Sequence, residues 1–207
     1  MSLEISGRRM TDNKDYTGSK VGMWLFLFSE LLFFGGLFLL YSVYRAEHSQ
    51  EFHIAAGELN TLMGTINTII LLTSSLTIAV SIRALKKNDT RLSIIFNSAT
   101  IILAVLFLIN KYFEWSVKFE HGLYPDSPLL LEKGKGIILF FGLYFIMTGL
   151  HGLHILAGIV LLSVMLILTV RGRINSSSYI LLENSGLYWH FVDIIWIFLF
   201  PLFYLIT

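Results

Sequence analysis

The sequence predicts an all-α protein: an integral membrane bundle of five transmembrane helices, with the N-terminus in the cytoplasm and the C-terminus on the periplasmic side. Three observations predict it. The 207-residue chain is 55% hydrophobic and only 14% charged, against roughly 25% charged in an average soluble domain. Five stretches, residues 20–44, 59–85, 92–117, 136–170 and 187–206, reach the length of about 20 apolar residues that crosses a bilayer. The Lys and Arg residues divide unequally between the connections, ten on the side of the N-terminus and four on the other, with Lys111 inside the third stretch. Cytoplasmic loops carry the excess of positive charge, which sets the orientation.

The elements follow in order. Residues 1–19 begin MSLEISGRRMTDNKDYT, a polar segment with no apolar run close enough to Arg8-Arg9 for a signal sequence. They read as a short cytoplasmic tail, and residues 20–207 as one membrane domain. The fourth stretch spans 35 residues, about 50 Å as a helix, so it is expected to tilt or to extend beyond the hydrocarbon. The connections RAEHSQEFHIAAGE, KKNDTR, KFEHGLYPDSPLLLEKGK and RGRINSSSYILLENSG hold most of the charges. Pro125 and Pro128 predict that the third is a non-helical loop. With no cysteine in the chain, disulfides, thiolate metal sites and c-type haem attachment are excluded. A net charge of +1 without a basic run speaks against a nucleic-acid partner.

Ionisable side chains inside a membrane are costly and are expected to face protein and to have partners. Six stand out: Glu30, Glu114, His151, His154, His190 and Asp193. Glu30 lies ten residues after Lys20, about 15 Å into the bilayer. Its own flanks, WLFLFSE and LLFFGGLF, offer no cation. It is either a proton-handling or lipid-contacting carboxyl, or a neutral acid bonded to another helix. Lys111 precedes Glu114 by three residues on one helix face, in the last turns of the third span, where a lysine reaches interfacial water. A structural ion pair is expected there. His151 and His154 are three apart in TGLHGLHILAG, as are His190 and Asp193 in WHFVD, so each pair shares a face. Together they compose a candidate metal or haem constellation. The pattern departs from the paired Glu-x-x-His motifs of di-iron bundles, and the competing expectation is interhelical hydrogen bonding that fixes helix rotation, with histidine donating to carboxylate.

Small and hydroxyl residues predict close packing. Gly142 and Gly149 lie seven apart on one face, and Gly149, Gly152 and Gly158 surround the two histidines. The second span carries Thr61, Thr65, Asn67, Thr68, Thr73, Ser74, Ser75 and Thr77, whose hydroxyls are expected to bond back to the preceding turn rather than to line a pore. Pro201 leaves the carbonyl of Ile197 without its N–H and is expected to kink the last helix.

The order of these motifs adds to the reading. WLFLFSELLFFGGLF, LNTLMGTINTIILLTSSLTIAVSIRALKKND, KYFEWSVKFEHG, TGLHGLHILAGIVLL and YWHFVDIIWIFLFPLFYL resemble, from about Lys20 to the C-terminus, the haem–copper oxidase subunit III family. That family includes cytochrome c oxidase subunit III and its quinol-oxidase counterpart. Many members have seven spans; this chain resembles the five-span form that lacks the first two. The resemblance implies a subunit that binds no haem and no copper itself and packs against the catalytic subunit I, which holds the haem–copper centre, with subunit II and other respiratory chains nearby. It implies support of assembly, of proton uptake and of catalytic lifetime in a bacterial inner membrane, partly through bound phospholipid. Glu30 matches the family's buried glutamate, which reacts with hydrophobic carbodiimides. Glu114 matches the acidic residue before the aromatic in the family's corresponding span, and His151, His154, His190 and Asp193 match positions with structural roles.

Three other readings remain beside it. The accessory protein of a nitric oxide reductase shares the five-span plan. A small proton-coupled transporter would use Glu30 as its carrier group, although no broken helices or internal repeats appear. An intramembrane metalloenzyme would use His151, His154 and His190.

Overall fold

A computed structural model describes residues 2–206, with side chains described from Thr17 onward. Arg8, Arg9 and Lys14, which contribute to the charge asymmetry, therefore lie outside the described side chains. Seven helices are present among the described residues: α1 (Ser2–Glu47), α2 (Ser49–Gly57), α3 (Thr61–Lys86), α4 (Thr90–Glu120), α5 (Pro128–Leu131), α6 (Lys135–Val170) and α7 (Ile180–Tyr204). Five of them are long and apolar enough to cross a membrane, α1 contributing Thr17–Glu47. The chain is thus a multi-pass membrane protein.

Two short helices depart from expectation. The connection after the first span folds into α2 because Phe52, Ala55 and Ala56 recur at helical spacing and are buried. The proline loop contains the single turn α5, started by Pro128 at its first position, where a missing N–H costs nothing. The last span begins at Ile180 rather than 187. Its first turns are polar but tied down: Glu183 bridges Lys20 of α1 at 3.1 Å and Lys86 of α3 at 2.7 Å, and the Asn184 amide donates to Ser19 at 2.8 Å. α7 continues past Pro201 to Tyr204, and its last carbonyls are taken by side chains. The Tyr41 hydroxyl donates to the Leu202 carbonyl and Thr61 to that of Tyr204 at 3.3 Å.

α3 and α4 form a tight antiparallel hairpin. Asn88 adopts a left-handed conformation at φ 65°, which asparagine tolerates, and Asp89 caps α4 by accepting from the Leu92 N–H at 3.0 Å. α7 lies at the centre, against α3 on one side, α6 on another and α1 on a third, while α4 closes against α6. α1 touches its neighbours through a seam that recurs every seven residues, Leu27, Phe34 and Tyr41, all buried. α2 folds over the start of α6, where the Glu51 carboxylate accepts from the Gly136 N–H at 3.1 Å and from His48 at 2.7 Å. A carboxylate there complements the positive end of the helix. A side chain at Gly136 would run into Glu51.

The predicted close approaches on α6 divide. A Cβ at Gly158 would meet the Trp189 ring at 2.6 Å, and one at Gly149 would meet Trp115 at 3.3 Å. Gly142 and Gly152 face open space, so helix packing does not require a glycine there. Trp189 is fully buried and its indole N–H is held by Ser74 at 3.0 Å, so it cannot yield. Gly158→Ala is therefore expected to lower the thermal midpoint of the purified chain in detergent, by the equivalent of about 1–3 kcal/mol. Gly152→Ala is expected to be neutral or slightly stabilising. Equal midpoints for the two variants would contradict this packing.

Candidate functional site

The six intramembrane ionisable residues occupy four distinct environments. Glu30, on α1, finds its partner on α6: its Oε2 lies 3.1 Å from His154 Nε2. The sequence shows no cation beside Glu30 because the partner is 124 residues away. His154 is oriented by its own helix, its Nδ1 lying 2.8 Å from the Leu150 carbonyl. Phe34 packs edge-on to its ring at 5.3 Å, and the Tyr188 hydroxyl donates to the His154 carbonyl at 2.9 Å. About a fifth of each side chain in the pair stays exposed, 21% for Glu30 and 19% for His154.

Glu114 and Lys111 do form the expected pair, at 3.2 Å, but not by snorkelling. Lys111 points inward because the bundle supplies its ligands. Its ammonium donates to the Tyr204 hydroxyl at 2.6 Å and to the Tyr144 hydroxyl at 3.0 Å. It also lies 4.7 Å from the Tyr144 ring centre and 5.3 Å from that of Trp196, within cation–π range. Glu114 Oε1 in turn accepts from both hydroxyls, at 2.5 Å from Tyr204 and 2.6 Å from Tyr144. Tyr144 and Tyr204 are functional groups that motif reading passed over. They sit in α6 and α7, and nothing local marks a tyrosine as the partner of a distant ion pair.

His151 departs from the expectation of interhelical hydrogen bonding. Both its ring nitrogens are buried without a hydrogen-bond partner among the described residues. The ring stacks on Trp196 at 5.2 Å and meets Phe107 edge-on at 5.8 Å, so it is held as an aromatic. His190 does tie two helices, its Nδ1 lying 2.7 Å from Ser75 Oγ of α3. This is the interhelical tie expected of it, although its partner is a hydroxyl and not a carboxylate. Asp193 also has Ser75 as its polar neighbour, yet neither of its carboxyl oxygens meets hydrogen-bond geometry, and both are buried. Ser75, between the two, takes the place of a direct contact.

The candidate metal constellation is therefore dispersed. His151 faces Trp196 and Phe107, His154 faces Glu30, and His190 faces Ser75. Among the described residues no group of three or more His, Cys, Asp or Glu converges as a metal site. The hydroxyls of α3 bond back to the preceding turn as expected, Thr68 to Gly64 and Thr73 to Ile69. Several also serve a second helix. Thr68 accepts from the Trp196 indole N–H at 3.0 Å, and Thr77 meets Thr100 of α4 at 2.8 Å. The arrangement is a set of interhelical ties around one half-open carboxyl.

Comparison with known proteins gives this geometry a setting. The sequence profile of the family described as cytochrome c oxidase subunit III matches residues 8–207. The chain is similar to cytochrome c oxidase subunit 3 of Thermostichus vulcanus, with 35% identity over 90% of this chain and 87% of that protein. It is similar to a probable quinol oxidase subunit 3 of Staphylococcus saprophyticus, with 29% identity over 94% of this chain and 93% of that one. It also matches a haem–copper oxidase subunit I+III of Aeropyrum pernix, with 30% identity over 89% of this chain and 22% of that longer protein.

The difference in exposure between the carboxyls has a chemical consequence. An apolar carbodiimide added to membranes is expected to modify Glu30, which reaches the surface of the bundle, and to spare Glu114 and Asp193, which do not. Peptide mass spectrometry reads the modified residue, and Glu30→Gln should abolish the label. Labelling at Glu114 in the intact protein would contradict this placement.

Proposed function

Because the chain belongs to the cytochrome c oxidase subunit III family, whose members are subunits of haem–copper respiratory oxidases and hold none of the redox centres, we propose that it is the non-catalytic third subunit of a terminal oxidase in a bacterial inner membrane. In this reading it packs against the catalytic subunit I, with subunit II and other respiratory chains nearby. It sustains assembly, proton uptake and stability of the catalytic subunit, while oxygen is reduced in that partner at haem and copper. The relative in which subunits I and III form one chain supports pairing with subunit I. The N-terminus lies in the cytoplasm, as the Lys and Arg asymmetry favours.

The observation that carries the reading is the dispersal of His151, His154 and His190 onto three separate sets of neighbours. Each histidine serves packing or a single interhelical contact. Glu30 is the exception, a carboxyl at the bundle surface within the apolar zone. Its role is to hold or relay a proton beside the partner subunit or bound phospholipid, steadied by His154. The electron donor, cytochrome c or quinol, docks on other chains.

The test is capture of a tagged chain from native membranes in mild detergent, read by mass spectrometry and by reduced-minus-oxidised spectra. A haem–copper catalytic subunit and its haem spectrum are expected to co-purify. Recovery of the chain alone and colourless would overturn the proposal and favour a transporter built around Glu30.

A further inference from the structure

Four helices enclose the centre of the bundle. α3 packs on α4 and α7, and α6 packs on the same two, so α4 and α7 stand on a diagonal. Among the described residues no α-carbon of one comes within 8 Å of one of the other, and only side chains span the gap. Trp196 of α7 crosses it to meet the Phe107 ring of α4 at 4.8 Å, and Tyr204 crosses it to Lys111 at 2.6 Å. α4 and α7 both run antiparallel to α3, so a turn along one matches a turn along the other. One turn back from the Trp196–Phe107 contact, Asp193 is therefore level with Ala104, and both are buried. A carboxymethyl and a methyl face one another there, across a gap that an indole and a phenyl fill on the next turn. Leu71 of α3 and Ile155 of α6, also buried, wall the layer on its other two sides.

This layer is bordered by hydrogen-bonding atoms that no described residue satisfies. Both carboxyl oxygens of Asp193 and both ring nitrogens of His151 are buried without a partner. His151 reaches the layer because its ring stacks on Trp196, three residues from Asp193 on the same face of α7. Ser75, the polar neighbour of Asp193, is engaged by His190. Leaving such buried atoms unbonded is costly. A carboxyl is chiefly an acceptor, and a neutral imidazole brings one donor and one acceptor. The species that serves both must donate and accept, and it must fit beside Ala104. Charge narrows the choice further. Lys111 acts on His151 from the neighbouring turn and opposes a metal cation, while the Asp193 carboxyl opposes an anion. Water meets each condition, with enough polar partners to hold it.

We propose that this layer seats internal water, bonded to the Asp193 carboxyl and bridging it to the His151 ring one turn away. The water ties α7 to α6 through groups that make no direct bond, and it occupies the centre of the bundle where the side chains on the α4–α7 diagonal are short. The inference rests on the packing of four helices, and not on which complex the chain joins.

Radiolytic footprinting tests it. X-ray pulses split water into hydroxyl radicals, which oxidise side chains beside bound water even in a buried core, and peptide mass spectrometry reads the oxidised residue. The sample is the intact complex containing this chain, extracted in mild detergent, with each rate normalised to that of the same peptide in the denatured chain. His151 and Trp196 are expected to be oxidised, while Phe140 and Phe141, equally buried, stay unmodified. Ala104→Leu fills the space and Asp193→Leu removes the polar end, so each is expected to abolish the label on His151. Asp193→Asn still bonds water and is expected to keep it. Oxidation of His151 and Trp196 as low as that of Phe140 in the wild type would overturn the proposal, and so would a His151 label that survives either leucine variant. The wild-type comparison holds whether or not the variants assemble.

Discussion

A lysine and a glutamate buried together between transmembrane helices constrain everything around them. Moving either charge out of water costs several kcal/mol, and attraction between them compensates only when the remaining donors and acceptors are also satisfied. Lys111 and Glu114 meet that condition through two tyrosines supplied by other helices. Tyr144 belongs to α6 and Tyr204 to the last turn of α7. α4, α6 and α7 can therefore close in only one rotation, the one that brings both phenols to the pair. α1 and α3 then secure the end of α7 that carries Tyr204, through Tyr41 and Thr61.

The same logic runs along the α3–α7 seam. Lipid tails are as apolar as leucine, so burial of apolar surface does little to hold membrane helices together; packing and interhelical hydrogen bonds must do it. Trp189, His190 and Trp196 reach Ser74, Ser75 and Thr68, two contacts on one turn of α7 and the third about two turns further on. Gly158 lets α6 approach closely enough to cover Trp189. Glu30 lies outside this fastening, on the least buried of the five spans.

The five spans were legible in the sequence because hydropathy over some 20 residues is a local property, and the i,i+3 pair of Lys111 and Glu114 was legible for the same reason. The family was legible from the order of motifs along the chain. What escaped were properties fixed by distant residues. Glu30 shows no partner in its own segment, since His154 arrives from α6. His151 and His154 read as one face, yet one ring lies against Trp196 and the other against Glu30. The two tyrosines around Lys111 come from two other helices, and neither helix carries a pattern that marks its tyrosine as a partner. His190 and Asp193 read as one face able to tie helices together, but that the tie is made through Ser75 of α3 is set by a residue over a hundred positions away.

The most direct test of the central claim is a double-mutant cycle on the buried pair, measured as unfolding free energy of the purified chain in detergent. Lys111→Met and Glu114→Gln each leave a partner buried and uncompensated, and each single change is expected to cost about 3–5 kcal/mol. The double variant removes both charges and is expected to cost clearly less than the sum, a coupling of the order of 1–3 kcal/mol. Additive single effects would mean that the two residues do not act on one another in the membrane, and that the bundle is held by something other than this network.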